Sequence, residues 1–115
     1  MRGINQIFLL GRIGQDPDLK QTANERCYLN LSVATNRSIR RDDKWEEITD
    51  WHQVRTWNQT AELCTRVLSK GSPIAVEGHL RTDQWIDQSG EKQTRTYVHA
   101  DRIHFLPHSR PAVAK

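Results

Sequence analysis

Hydrophobic alternation of period two recurs in five runs of this chain and gives way to a helical period in one place only. The first run is Asn5 to Ile13, interrupted by Gly11 and Gly14 as a bend or bulge interrupts a strand. The second, Cys27 to Thr35, sets Cys27, Leu29, Leu31 and Val33 on one side and Tyr28, Asn30 and Ser32 on the other. The third is Glu46 to Trp57. Then Asn58 offers a helix N-cap, Ala61, Cys64, Val67 and Leu68 follow at helical spacing, and Gly71 closes the segment. Pro73 opens a fourth strand. Ile74, Val76, Gly78 and Leu80 point one way and Ala75, Glu77, His79, Arg81 and Trp85 the other, with Gly78 marking a bend. Asp87-Gln88-Ser89-Gly90 reads as a hairpin turn into a fifth strand, Lys92 to Leu106.

Three strands, one helix and two strands restrict the architecture sharply. At 115 residues there is material for one domain and one core. An open sheet of five strands leaves unpaired edges, a sandwich needs more strands, and a parallel sheet needs more helices. The expected fold is all-β: a five-stranded OB-fold barrel with the helix between the third and fourth strands. Residues 1–106 are expected to form it, with 107–115 a short flexible tail. Asn36 to Trp45 reads as a basic loop.

On the third strand, Trp51, Gln53, Arg55 and Trp57 share one face. A row of indole, amide, guanidinium and indole suits a ligand that is flat and negatively charged. Single-stranded nucleic acid is both, because its bases stack and its phosphates attract cations. Arg81 and Trp85 are likewise in phase on the fourth strand, and Tyr97 lies across the hairpin from them. The net charge of +3 does not by itself establish such a partner. Placement says more: Arg37, Arg40, Arg41 and Lys44 crowd the basic stretch, with Trp45 at its end. A charge run of that kind, taken alone, is more often a solvated loop. Any single tryptophan also has an ordinary alternative, filling a barrel end.

Catalytic and metal chemistry find little support. His52, His79, His99, His104 and His108 show no metal-site pairing, and neither cysteine has a near partner. No nucleophile motif, phosphate-binding loop or dinucleotide fingerprint is present. Asp50 and His52 share a strand face, where a structural pair or subunit contact is the ordinary reading. No enzyme activity, cofactor or metal is expected. Cys27 and Cys64 lie in apolar runs and are expected to be reduced core thiols. Neither a signal peptide nor a membrane-spanning apolar stretch is recognisable, so a cytoplasmic location is expected.

Four stretches together resemble a known family. Asn5-Gln6-Ile7-Phe8-Leu9-Leu10-Gly11-Arg12-Ile13-Gly14-Gln15-Asp16-Pro17 is similar to the opening of bacterial single-stranded DNA-binding proteins. So are Thr49-Asp50-Trp51-His52-Gln53-Val54, the stretch from Lys70 to Thr82 with Trp85, Asp87 and Gly90, and Ala100 to Leu106. The match runs in order over nearly the whole chain. The resemblance implies an OB-fold assembling as a homotetramer that coats single-stranded DNA in replication, recombination and repair, in the bacterial cytoplasm at the nucleoid. It implies stacking roles for Trp51, Trp57 and Trp85, and a subunit-interface role for His52. Arg55, Arg81, Arg40, Arg41 and Trp45 complete the expected DNA-binding set.

Three departures qualify the resemblance. Ile39 stands where relatives often carry a further stacking tryptophan. Asn24-Glu25-Arg26 lacks the glycines common in that hairpin. Relatives usually continue into a long linker with an acidic tip that recruits partner proteins; this sequence ends at Lys115, so partners bound through such a tip are not expected of it. The principal alternative is a related OB-fold that mediates protein contacts. Proteins of that kind usually lack the full aromatic set, which Trp51, Trp57 and Trp85 retain.

Overall fold

The computed structural model describes residues 1–107. The strands are β1 (Ile7–Ile13), β2 (Leu19–Gln21), β3 (Cys27–Arg41), β4 (Lys44–Trp57), β5 (Pro73–Ile86) and β6 (Lys92–Phe105), and the helix α1 (Asn58–Val67) falls between β4 and β5. β1 pairs antiparallel with β5 on one side and, at Arg12 and Ile13, with β3 on the other. β5 pairs with β6 and β3 with β4, both antiparallel, while β4 meets β6 in a short parallel pairing at Val54–Val98 and Arg55–His99. The five long strands thus close on themselves as a mixed barrel with one helix, an arrangement consistent with the expected OB-fold. β2 is a short addition on the edge of β3; with only Leu19 apolar, it shows no alternation to read. Of the tail expected over 107–115, residues 108–115 lie outside the described residues.

Inward positions make the core. Ile13, Leu29, Leu31, Val33, Val54, Ile74, Val76 and Val98 are buried, joined by Ala61, Cys64 and Leu68 from α1 and its exit. Full burial of one such aliphatic side chain stabilises by about 1.5–3 kcal/mol. α1 lies against β2, β3 and β4. Cys27 and Cys64 are both free and buried. Burial pushes the Cys64 thiol up to about 11; burial and then Glu62 raise that of Cys27.

The helix ends differ from expectation. Trp57, in extended conformation, occupies the N-cap position, and no side chain caps the helix. Asn58 is instead its first residue, with φ of 53°. The helix stops at Val67, and Leu68 is its C-cap. Gly71 belongs to the turn beyond, where φ of 92° suits glycine. Its N–H donates to the carbonyl of Ile13 at 2.9 Å, tying the helix exit to the end of β1.

The expected basic loop is not a loop. β3 and β4 continue past the barrel as an antiparallel ribbon, paired residue by residue to Arg41–Lys44. Asp42 and Asp43 turn it with φ of 52° and 62°, the double left-handed geometry that matches strand twist in a two-residue hairpin. Polar residues on both faces erase the alternation that reveals a strand. Cross-strand partners hold the arm: Arg37–Asp50 at 2.8 Å, Arg41–Glu46 at 3.6 Å and Thr49 Oγ1 donating to Asn36 Oδ1 at 2.8 Å.

The β5–β6 hairpin also follows from local chemistry. At its turn Asp87 Oδ1 accepts from the Ser89 hydroxyl and the Ser89 and Glu91 amides, which holds the Asp87 carboxyl below its usual range. The register shifts at Glu77/Gly78, where the bend was expected. A Cβ on Gly78 would collide with the His99 carbonyl, and one on Gly11 with the Ala34 carbonyl. Gly11→Ala and Gly78→Ala should each destabilise by about 1–3 kcal/mol in denaturant melts, whereas Gly3→Ala, with nothing nearby, should be neutral. His99 carries a second expectation. Burial, then the charges of Arg81 and His79, lower its proton affinity in the fold. The unfolded chain therefore binds that proton more readily, and stability should fall as pH drops below the usual histidine value of 6.5. The loss should level off once His99 protonates in the fold as well. His99→Gln should lessen this loss between neutral and mildly acidic pH; an unchanged pH profile would refute the assignment.

Candidate nucleic-acid interface

Val54 and Thr56 face the core, so the intervening positions of β4 face out. Trp51, Gln53, Arg55 and Trp57 form the outward row, and register sets them beside Ala34, Ser32, Asn30 and Tyr28 of β3. Trp51 is 56% exposed. One side of its ring rests on Gly14, where any Cβ would strike the indole. Gln53 donates to Ser32 Oγ at 3.2 Å.

Arg55 is held rather than free. Its guanidinium lies between two aromatic rings, 4.9 Å from the centroid of Tyr28 and 4.8 Å from that of Tyr97. Its Nε donates to Asn30 Oδ1 at 3.0 Å, and Nη1 is 3.8 Å from Asp83 Oδ2. Trp57 is half-buried. It packs on Tyr28 at 5.1 Å, and Arg26 stacks over its ring at 4.5 Å.

Beyond the barrel, β5 and β6 continue the surface. Arg81, Asp83 and Trp85 alternate on one face of β5, opposite Tyr97, Arg95 and Gln93 of β6. The contacts from Arg55 to Asp83 and Tyr97 bring this strip beside the β4 row. Arg81 Nη1 lies 3.3 Å from His99 Nδ1, and Arg95 stacks over Trp85 at 5.7 Å. Trp85 is 43% exposed. Shallow depressions flank the row: one lined by Asn30, Gln53, Arg55, Arg95 and Tyr97, another by Gly14, Gln15, Ser32 and Trp51.

The arm carries the remaining expected residues. Arg40 pairs with Trp45 across the strands, lies 6.0 Å from its ring and contacts Asp43 at 3.4 Å. By alternation Trp45 occupies the same row as Trp51, six residues further out along β4. Arg41 sits at the tip with Glu46. Ile39, opposite Glu46, falls on the other face of the ribbon from Trp51. His52 also takes that other face, with Nε2 2.8 Å from Thr35 Oγ1. The arrangement therefore brings Trp51, Arg55, Trp57, Arg81 and Trp85 together, sets Arg40, Arg41 and Trp45 at a distance, and turns His52 away.

Sequence reading left out Arg26, Tyr28, Asn30, Asp83 and Arg95. Tyr28 and Asn30 were legible as outward residues of their strand, but only the register puts them against Trp57 and Arg55. Arg26 comes from a turn, and no periodic signal reports it. Among the described residues no cluster of potential metal ligands occurs, and no helix is long and apolar enough to cross a membrane. The surface offers aromatic faces, cations and amides along a continuous track, which suits binding of a chain of stacked rings and anions.

Known proteins share this fold. The structure resembles that of a Plasmodium falciparum SSB solved in complex with single-stranded DNA, with a TM-score of 0.80 and 28% sequence identity over 93% of this chain and 98% of that one. The model of the single-strand binding protein family matches residues 4–106. The chain belongs to the single-strand binding protein family.

Proposed function

We propose that this protein binds single-stranded DNA with little sequence preference, without catalysis, and protects it during replication, recombination and repair. The observation that carries this is the outward row of β4 continued by the β5–β6 strip: Trp51, Trp57 and Trp85 as platforms, with Arg55, Arg81 and Arg95 interleaved. Family membership and the likeness to a DNA-bound structure support it. Every base has a π-face, so platforms of this kind hold any sequence. Arg81 and Arg95 supply phosphate contacts. Arg55 holds Tyr28 and Tyr97 in place and offers its remaining N–H groups. Arg40 and Trp45 extend the track along the arm, and Arg41, on the other face at the tip, adds a cation for the strand; Trp45 supplies a platform on the Trp51 face rather than at the position of Ile39.

Residues 1–106 serve as the binding domain of this OB-fold, acting in the cytoplasm at the nucleoid. The protomer is read as part of a homotetramer. Phe8 and Leu10 are exposed on the outer side of β1, 67% and 63%, beside Ala75 of β5. An apolar strip on a strand that faces away from the core suits burial against a second copy. His52, turned from the DNA row, is assigned to a subunit contact.

Oligo-dT should quench the tryptophan fluorescence strongly and duplex DNA should not; absence of quenching by single strands at low salt would sink the reading. Base–aromatic stacking is worth about 1–3 kcal/mol per base, a value measured on proteins of this same class. Trp51→Ala should weaken binding within that range and leave the salt slope nearly unchanged. Arg81→Ala should flatten the slope by about 0.7. Gly14→Ala should weaken binding as well, since the added methyl displaces the Trp51 ring.

A further inference from the structure

From Trp51 to Trp57 on β4 and from Arg81 to Trp85 on β5, the outward cations Arg55, Arg81 and the facing Arg95 of β6 are accompanied by the carboxylate of Asp83. It lies mid-strip, between Arg81 and Trp85 on β5 and directly opposite Arg95. A carboxylate there opposes a polyanionic ligand, so its presence needs a reason. Its contacts supply one. Oδ2 lies 3.8 Å from Arg55 Nη1, and Oδ1 accepts from the Tyr97 hydroxyl at 3.5 Å. Tyr97 is in turn one of the two rings that sandwich Arg55. The Asp83 side chain is 50% exposed, against 16% for Arg55. The arginine is thus largely withdrawn from water, and its outermost anion is the one free to move.

We infer that Asp83 is a displaceable stand-in for a DNA phosphate. In the empty protein it occupies the anion position of Arg55 and keeps the guanidinium aligned between Tyr28 and Tyr97. When a strand enters, a backbone phosphate takes the arginine, and Asp83 swings to solvent or to Arg95 across the hairpin. A guanidinium edge accommodates a carboxylate or a phosphate in the same way, so the exchange preserves geometry. The cost of the exchange lowers affinity, and the waiting carboxylate speeds departure of the strand. Asp83 is on this reading a positioning and affinity-setting residue, and the inference rests on the single-stranded DNA reading above.

The test is a cycle of Asp83→Asn, Arg55→Gln and the double variant, titrated with oligo-dT by tryptophan quenching at two salt concentrations. Asp83→Asn should bind about two- to fivefold tighter, the range spanned by a solvent-exposed ion pair. Its salt slope should stay nearly unchanged, because Arg55 neutralises one phosphate in the complex with or without Asp83. In the Arg55→Gln background the gain should vanish. A gain of equal size in that background would overturn the exchange, leaving only general repulsion. Unchanged or weaker binding by Asp83→Asn would also overturn it. Should Arg55→Gln fail to fold, the slope of Asp83→Asn decides: tighter binding at an unchanged slope supports the exchange, and a steeper slope overturns it. Failure of the parent protein to bind would strike the function itself, whereas normal parent binding with an inert Asp83→Asn strikes only this inference.

Discussion

β1 shares its hydrogen bonds between β5 along Ile7–Arg12 and β3 at Arg12 and Ile13, and the barrel exists because one strand serves two neighbours. That double pairing demands a close approach, which Gly11 permits by leaving room for the Ala34 carbonyl. Gly71 anchors the same corner through the Ile13 carbonyl. Once the sheet is closed, inner positions are filled by aliphatic side chains and outer positions are released for other uses. The outward row of β4 is available for binding because Val54 and Thr56 already secure the strand from within.

The sequence made most of this legible, and its limits are physical. The strands of the barrel body were readable because one face is buried and the other wet. The arm was not, since Asn36 to Trp45 is polar on both faces and turns through Asp42-Asp43 rather than a glycine pair. The helix was readable from Ala61, Cys64 and Leu68, but its ends were not: Asn58 has the composition of a cap and adopts a different backbone role. Trp51, Trp57 and Trp85 stood out by type and spacing. Their neighbours did not, because Tyr28, Asn30, Asp83 and Arg95 reach the track only through cross-strand register, which no local pattern encodes.

Arg55 illustrates how placement alters a role. By type and row it resembles a phosphate contact. In the fold, two rings, one amide and one carboxylate surround it, so it organises four strands before it meets any ligand. Tyr28 belongs to β3, Tyr97 to β6 and Asp83 to β5. The guanidinium is the point where the barrel wall and the β5–β6 hairpin are joined electrostatically.

The ribbon formed by the outer halves of β3 and β4 has a different bearing. Its residues from Asn36 to Trp45 contribute none of the buried core. Lengthening or shortening it by paired residues leaves the buried core untouched while altering how far the proposed track extends. Reach along a strand and stability of the body are therefore separable quantities in this architecture, and each is open to change without the other. The polar two-faced composition that hid the ribbon from sequence reading is the same property that makes it freely adjustable.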